Sequence, residues 1–438
     1  MGLDHPEAVL RIAVVGTGIS GLTCVELLRR NHEVWAFEAE DRPGGHTHTV
    51  DVELAEATLP VDTGFLVYTE RTYPLLKRLF ARLDIPTKPA EMSFSVSDEV
   101  TGIEWRGTSA STIFAQLANL AKPGFWRMLI DIVRFNRSCR ILLSKSGMLR
   151  AKLDCSNLDK VGPTLAEFLA DRHWSEGFVQ RYLIPIGSSI WSANPQEFLE
   201  MPATTFSAFF SRHGLLRFGD QAEWRTVCGG ARRYVYAILE PLIRQGRLYL
   251  GSPAKSIRST PDGVEIKTHD GRARFDQVIL ACHGDEALRL LEQPTAEEQN
   301  ILGAMRYRPN EALLHTDRRL LPKSKRAWAS WNYHRLATDQ TEPTLTYDIT
   351  RLQSLPTQQR LLVTLNRRDA VEPSAVLRQL WFRHLIVDRD QVAARAWHDR
   401  LNGRHGVWFC GAYWGDGFHE DGVRSAVAVC NRLGGDRL

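Results

Sequence analysis

The sequence has few cysteines, little net charge and no apolar stretch of transmembrane length. Seven cysteines are scattered over 438 residues without a Cys-x-x-Cys pair, which argues against a disulfide framework and against a zinc site. The formal charge of +4 is small for this length and predicts neither a nucleic-acid partner nor a strongly acidic one. Residues 1–9 lack the basic start and apolar core of a signal peptide. We therefore expect a cytoplasmic protein with reduced thiols and no metal centre.

A glycine-rich segment near the start of the chain is the most informative motif. Apolar residues predict a buried strand at 11–15, a helix at 19–30 and a second strand at 33–37. The segment Gly16-Thr17-Gly18-Ile19-Ser20-Gly21 joins the first strand to the helix, and Glu38 ends the second strand. This order of strand, glycine turn, helix, strand and acid is typical of dinucleotide-binding proteins.

Each residue of the motif has a predicted task. Gly16 permits the tight turn, Gly18 lets the backbone approach a pyrophosphate, and Gly21 lets the helix pack closely on the strand. The pyrophosphate is expected at the positive N-terminus of the helix, beside Ile19 and Ser20. Glu38 is expected to accept hydrogen bonds from a ribose.

Three further segments carry glycine at predicted turns. Arg42-Pro43-Gly44-Gly45-His46 follows Glu38 almost at once, and a glycine pair lets a second backbone segment approach a ligand. Val61-Asp62-Thr63-Gly64 follows later, and near the end of the chain Gly411, Asp416, Gly417 and Gly422-Val423 lead into a predicted last helix.

These segments resemble flavoproteins of the amine-oxidase and phytoene-desaturase superfamily. More closely, the chain is similar over nearly its whole length to a bacterial family of NAD/FAD-binding flavin oxidoreductases within that superfamily. The similarity includes residues 45–50, 61–68, 94–98, 190–192, 224–227, 327–333 and 417–422.

The resemblance implies FAD as the cofactor. It implies an α/β fold in which a Rossmann-like FAD-binding domain of the GR2 type carries a discontinuous α+β substrate-binding domain. We place the FAD-binding domain at 1–90, 215–300 and 395–438, and the substrate domain at 91–214 and 301–394.

The resemblance also assigns cofactor contacts outside the first motif. The last helix, opened by Gly422-Val423, is expected to direct its positive end at the flavin. Ala254 is expected to meet the adenine through its backbone. The remaining contacts expected from the resemblance are Arg42, Gly44, Gly45, His46, Thr63, Gly64, Gly411 and Asp416.

Two histidines are candidate catalytic residues. Amine oxidases commonly have an arginine at the position of His46. A histidine after the glycine pair resembles the flavin-dependent sugar mutases instead. His46 either contacts phosphate or flavin or only satisfies a turn. His419 either relays a proton beside the flavin or bonds Glu420, Asp421 or a backbone group. Many amine oxidases also place a lysine on a strand that matches residues 308–314, where this chain has none. That absence argues against amine oxidation specifically.

The first functional hypothesis is an FAD-dependent oxidoreductase that takes hydride from, or desaturates, a hydrophobic small molecule such as a fatty-acyl lipid. A non-redox flavin isomerase or mutase is the second. The third is a flavin-binding partner of a lipid methyltransferase, because members of the family often sit genomically beside such methyltransferases. Residues 113–144 have apolar positions at helical spacing, which fits either a buried helix or peripheral contact with the inner face of the membrane.

Overall fold

The computed structural model describes residues 8–107, 110–146, 161–217, 223–338 and 341–438. Every candidate site residue named above lies within these ranges. None of the helices in them is both long and apolar enough to span a bilayer.

The described chain contains runs of strands and runs of helices. The strands, in chain order, are Arg11–Val15 (β1), Glu33–Phe37 (β2), Thr49–Glu53 (β3), Thr58–Asp62 (β4), Tyr68–Thr69 (β5), Thr87–Pro89 (β6), Phe94–Asp98 (β7), Ile103–Arg106 (β8), Trp224–Val227 (β9), Leu248–Tyr249 (β10), Ser256–Thr260 (β11), Gly263–Lys267 (β12), Arg272–Phe275 (β13), Gln277–Leu280 (β14), Tyr307–His315 (β15), Trp331–Arg335 (β16), Leu345–Asp348 (β17), Leu362–Leu365 (β18), Val376–Leu385 (β19) and Val407–Phe409 (β20).

The α-helices, in the same order, are Ile19–Leu28 (α1), Pro74–Arg82 (α2), Ala110–Ile113 (α3), Pro123–Ser146 (α4), Leu165–Ala170 (α5), Glu176–Phe178 (α6), Ile184–Trp191 (α7), Pro195–Glu200 (α8), Ala203–Arg212 (α9), Arg232–Arg244 (α10), Gly284–Leu290 (α11), Ala296–Gly303 (α12), Ile349–Leu352 (α13), Arg389–Ala394 (α14), His398–Leu401 (α15) and His419–Arg432 (α16).

A five-stranded parallel sheet in the order β10-β2-β1-β14-β20 forms the base of the site. Alternate residues of β1 face two different cores. Ile12 and Val14 pack with α1, α10 and α16, whereas Ala13 and Val15 face the larger core on the other side. Burial on both faces explains why β1 is almost uninterruptedly apolar. The sheet joins strands from three distant stretches of the chain.

A seven-stranded sheet in the order β19-β15-β18-β17-β16-β7-β8 lies on the other side of the site. Neighbouring strands are antiparallel except for β16 and β7, which run parallel. β15 and β19 pair over most of their length, and a bulge interrupts their register at Leu314 and His315. Helices α4 and α9 pack nearby through aromatic rings, with Phe135 5.8 Å from Phe206 between centroids.

Two predicted boundaries are wrong. The last helix begins at His419, three residues before the predicted start at Gly422, because the Asp421 carboxylate accepts the Phe418 N–H at 3.1 Å and so caps the helix. Ala254 lies in the loop before β11, which begins at Ser256. The strands β1 and β2 have the predicted bounds, and α1 ends two residues early.

Candidate active site

The N-terminus of α1 is buried, yet within the described residues no acidic side chain of the protein caps it. Gly18 is its N-cap, no side chain in the described part of the chain caps it, and its first turn contains no acid. Ile19, Ser20 and Gly21 are nevertheless buried. The first N–H groups of a helix have no intrahelical acceptors, so a buried helix start of this kind suits a phosphate group.

The glycines of this loop differ in the space around them. A Cβ atom built on Gly18 meets no described protein atom within 4 Å, whereas one built on Gly21 would lie 1.9 Å from the carbonyl oxygen of Gly16. Gly16 itself has a φ of +99°, in the region that favours glycine. Gly18 therefore borders open space at the helix start, while Gly21 allows close packing, as the sequence predicts.

The side chain of Glu38 holds the glycine loop in place through Thr17. One carboxylate oxygen accepts the Thr17 N–H at 2.9 Å and the Thr17 hydroxyl at 2.5 Å. The other oxygen accepts the N–H of Glu40 at 3.1 Å. The Thr17 hydroxyl in turn accepts the N–H of Gly44 at 3.2 Å. Thr17 thus links the end of β2, the glycine loop and the glycine pair.

The glycine pair lies against the glycine loop. A Cβ atom on Gly45 would lie 3.1 Å from the Cα of Gly18. Both members of the pair have positive φ, +115° for Gly44 and +55° for Gly45. The Arg42 guanidinium donates to the Gly45 carbonyl at 3.0 Å and pairs with Glu40 at 2.9 Å. Arg42 therefore braces the turn in the described structure.

His46 lies between the glycine pair and strand β19. Its carbonyl accepts the N–H of Phe65 at 3.0 Å, and a Cβ on Gly64 would lie 1.8 Å from that carbonyl oxygen. Its ring lies 5.2 Å from the rings of Phe382 and His384 on β19. Burial, reinforced by neighbouring imidazoles, holds the pKa of His46 well below its usual value. The ring is therefore neutral at physiological pH.

Thr63 and Gly64 directly follow β4 in sequence, and Gly64 packs against the backbone of His46. The Thr63 hydroxyl and the Nδ1 atom of His48 share a hydrogen bond of 2.8 Å. The preceding Asp62 accepts the N–H of Ala231 at 2.9 Å, which ties this segment to the start of α10. Burial raises the pKa of Asp62 to about 7.

His419, the first residue of α16, completes a hydrogen-bonded group of three side chains. Its Nε2 atom lies 3.1 Å from the Thr47 hydroxyl and 3.2 Å from the Tyr234 hydroxyl, and these two hydroxyls also bond each other. Burial lowers the pKa of His419 to about 3. Its ring partners are therefore hydroxyl groups, whereas the sequence suggested Glu420, Asp421 or the backbone.

The other C-terminal residues hold α16 in place. Gly411 donates its N–H to the Ser425 hydroxyl at 2.9 Å. The Asp416 carboxylate pairs with Arg395 at 2.7 Å and also with Arg212, so its side chain is engaged by two cations.

The backbone of Asp416 is engaged as well, because the N–H donates to the Asp421 carboxylate at 3.0 Å and the carbonyl accepts the Trp191 indole N–H at 3.2 Å. The predicted cofactor contact of Asp416 stays a prediction.

Gly422 and Val423 join α16 to α1. A Cβ on Gly422 would lie 2.8 Å from side-chain atoms of Ile19 and Ser20, so glycine lets the two helices approach. Val423 is fully buried in the same core. Neither residue opens the helix, because both lie within its first two turns.

Ala254 lies in the loop that follows β10. Two residues earlier, Ser252 donates its N–H to the Glu38 carbonyl at 2.9 Å, and Gly251 donates to the Glu40 carbonyl at 2.8 Å. This loop therefore runs beside the end of β2, and the predicted adenine contact of Ala254 stays a prediction.

The sequence prediction missed several residues of the site. Tyr234, Phe382, His384 and Asn310 lie next to predicted residues but belong to no glycine motif. Asn310 on β15 is buried and donates toward His384 at 2.9 Å and to the Ser192 carbonyl at 3.2 Å. The sequence offered one signal, and it concerned Asn310. This residue lies in the segment 308–314, which matches the strand on which many amine oxidases place a lysine.

A family model for flavin-containing amine oxidoreductases matches residues 19–434. The chain belongs to this family. The family binds FAD, which confirms the predicted cofactor and the predicted superfamily.

Two kinds of relative support the assignment. AofH of Mycobacterium tuberculosis, named for a flavin-containing monoamine oxidase, is 28% identical over 285 residues. That match spans 64% of this chain and 58% of AofH, less than two thirds of its length. Cyclohexylamine oxidase from Brevibacterium oxydans has the same fold, with a TM-score of 0.68 and 16% identity over 98% of this chain and the whole of that one.

The fold also occurs in a fatty acid isomerase from P. acnes, with a TM-score of 0.67 and 14% identity over 97% of this chain and 98% of that one. These likenesses confirm the predicted fold class.

The described residues fit FAD. The uncapped start of α1 and the open space at Gly18 suit the pyrophosphate, and Glu38 at the end of β2 suits a ribose. His46 contacts Gly64, and His419 contacts Thr47, the residue after His46, so the resemblance implies that these are the residues nearest the flavin ring.

Proposed function

We propose that this protein is an FAD-dependent oxidoreductase that takes hydride from an apolar small molecule, such as a fatty-acyl compound. The observation that carries this proposal is the neutral, ring-lined wall between the glycine pair and β19. We define this wall as His46, His384 and Phe382.

The charge state of the wall favours an uncharged substrate. Burial lowers the pKa of His384 to about 4, and that of His46 also lies well below its usual value. Both imidazoles are thus neutral at physiological pH, and Phe382 adds an apolar ring. Binding sites for apolar ligands are lined mostly by hydrophobic and aromatic side chains with few polar groups, so a neutral wall of rings suits an apolar ligand.

The absence of lysine on β15 supports the same substrate class. Many amine oxidases place a lysine on this strand, whereas β15 here offers the buried amide of Asn310. That amide bonds His384 and the Ser192 carbonyl, so it fixes the orientation of the wall. One protein with this fold is a cyclohexylamine oxidase and another is a fatty acid isomerase. Because the fold is common to both, we base the substrate class on the residues of the wall.

Different parts of the site are proposed to have different tasks. FAD supplies the hydride acceptor when it is bound. The start of α1 holds the pyrophosphate, and Glu38 fixes the loop through Thr17. Neutral His419 shares hydrogen bonds with the hydroxyls of Thr47 and Tyr234 and can hold or pass a proton at Nε2.

The test is anaerobic reduction of the FAD-loaded protein. We expect loss of the flavin absorbance near 450 nm with long-chain acyl substrates, and no comparable loss with primary amines. Reduction by amines that exceeds reduction by every apolar compound would overturn the substrate class. Product formation without net flavin reduction would instead support the isomerase hypothesis.

Adjacent residues of β19 offer a matched pair of variants. Phe382 is 6% exposed and lies in the wall, whereas Trp381 is 63% exposed. Phe382→Ala should raise KM for the apolar substrate about tenfold, since a buried ring contact is lost. Trp381→Ala should leave KM unchanged. Equal effects of the two substitutions would contradict the placement of the substrate.

A further inference from the structure

An apolar stripe runs along the outside of α4 and the short 3₁₀ helix Leu117–Ala121 that precedes it. We define the stripe as Leu117, Leu120, Trp126, Ile130 and Val133. Their exposed fractions are 67%, 47%, 45%, 53% and 51%. Residues 126, 130 and 133 have the spacing that places side chains on one face of a helix. Five large apolar side chains thus form one continuous exposed surface.

The stripe is distinct from the core face of the same helix. Phe125, Met128 and Phe135 are fully buried and pack with the aromatic core. The helix therefore has two apolar faces, of which the inner one stabilises the fold and the outer one faces solvent.

The position of Trp126 is fixed by its neighbours. Its indole N–H donates to the Leu120 carbonyl at 2.9 Å, and its ring lies 5.3 Å from that of Phe114. The polar atom of the indole is thereby satisfied within the protein. The exposed part of the side chain is apolar, and Leu120 is held beside it.

The stripe is flanked by positive charge. Helix α4 contains five basic residues and a single acid, Asp131, which is fully buried between Arg127 and Arg134. Within the described ranges, the side chains of Lys122 and Arg137 have no hydrogen-bond or ion-pair partner. Arg137 is four residues beyond Val133 on the same face. The exposed surface of the helix is therefore apolar at its centre and cationic at its edges.

We propose that this face of α4 docks on the surface of an anionic phospholipid bilayer. The stripe would enter the boundary of headgroups and acyl chains, and Lys122, Arg127, Arg134, Arg137 and Arg140 would meet lipid phosphates. The helix lies along the bilayer surface and does not cross it. This contact is independent of the chemistry proposed above.

Charge complementarity favours a bilayer over a second copy of the chain. Two copies that paired through the stripe would bring their basic edges together, where like charges repel. An anionic lipid surface would neutralise those edges and also cover the apolar centre.

The experiment is co-sedimentation of the FAD-loaded full chain with lipid vesicles. Vesicles that contain phosphatidylglycerol should bind the protein at low salt, and pure phosphatidylcholine vesicles should bind it at least tenfold more weakly. Binding should fall as salt is raised. Protein that stays in the supernatant with anionic vesicles at low salt would overturn the proposal.

Two variants locate the contact. Trp126→Ala should weaken vesicle binding about tenfold, and Arg137→Gln about fivefold. Trp381→Ala, which removes a more exposed indole from β19, is the control and should bind as the parent does. FAD content should be the same in all four proteins, which separates lost docking from lost folding.

Two results would contradict the assignment to α4. One is equal loss of binding in the Trp126 and Trp381 variants. The other is a concentration-dependent dimer in sedimentation velocity that Trp126→Ala abolishes while vesicle binding is unchanged, which would make the stripe an interface between copies.

Discussion

The imidazole of His419 lies almost parallel to the ring of Phe65, with 3.9 Å between centroids and 18° between planes. This contact covers one face of the imidazole with an apolar ring. The Thr47 and Tyr234 hydroxyls meet its edge. The environment disfavours the charged form of His419, and its pKa of about 3 follows from that burial.

The first prediction concerns the dependence of stability on pH. A histidine with a lowered pKa binds fewer protons in the folded state than in the unfolded state, so stability is lost as pH falls from about 6.5 toward 3. His419→Gln keeps a hydrogen-bonding side chain but cannot titrate. Between pH 7.5 and pH 5 the variant should lose about 2 kcal/mol less of its free energy of unfolding than the parent.

Urea titrations at the two pH values measure this difference. His46 and His384 add the same trend to both proteins, so the comparison isolates His419. Identical losses in parent and variant would show that His419 does not titrate in this range on unfolding.

The second prediction separates cofactor space from packing in the glycine loop. Gly18 has a φ of −65° and open space at its Cβ, so Gly18→Val should fold normally and lose FAD. Gly21→Ala places a methyl group against a backbone carbonyl and should lower the free energy of unfolding by about 3 kcal/mol. Flavin absorbance and thermal unfolding of the apoproteins distinguish the two effects. A Gly18→Val protein with stoichiometric FAD would refute the cofactor position.

The third prediction concerns Glu38. Glu38→Ala removes the acceptor for the N–H and hydroxyl of Thr17 and should weaken FAD binding by about 1–3 kcal/mol. Glu33→Ala, at the other end of β2, is the control and should bind FAD as the parent does. Quenching of FAD fluorescence gives both dissociation constants, and equal values in the two variants would place the ribose elsewhere.

The fourth prediction concerns Asp416. Its carboxylate is buried, but the side chains of its partners Arg212 and Arg395 are 54% and 24% exposed, so breaking the pairs leaves no fully buried charge and costs about 1–3 kcal/mol. Asp416→Asn should therefore lower the free energy of unfolding of the apoprotein by about 1–3 kcal/mol, with less than a threefold change in FAD affinity. Unchanged stability together with a large loss of FAD affinity would instead indicate direct contact between this carboxylate and the cofactor.

Local sequence patterns predicted the nucleotide-binding part of the fold well. The apolar run of β1, the glycines and the acid at the end of β2 all lie within 28 residues, so their spacing alone specifies the unit. The start of α16 was misplaced at Gly422, although Glu420 and Asp421 give the acidic first turn that marks a helix start.

The substrate side of the site was less predictable. Phe382 and His384 reach His46 from a strand more than 330 residues away in sequence. The contact of Tyr234 with His419 likewise depends on how α10 packs against α16. No local periodicity encodes such pairings, because they arise only when distant segments fold together.

The five-stranded parallel sheet has a consequence for biosynthesis. β14, the neighbour of β1, is translated more than 260 residues after it, and β20 later still. Helix α16, which packs on α1, follows β20. A nascent chain therefore displays the glycine loop long before the segments that pack around it exist. We expect stable cofactor capture only once β20 and α16 have been translated, so a chain that stops before β20 should not retain the flavin.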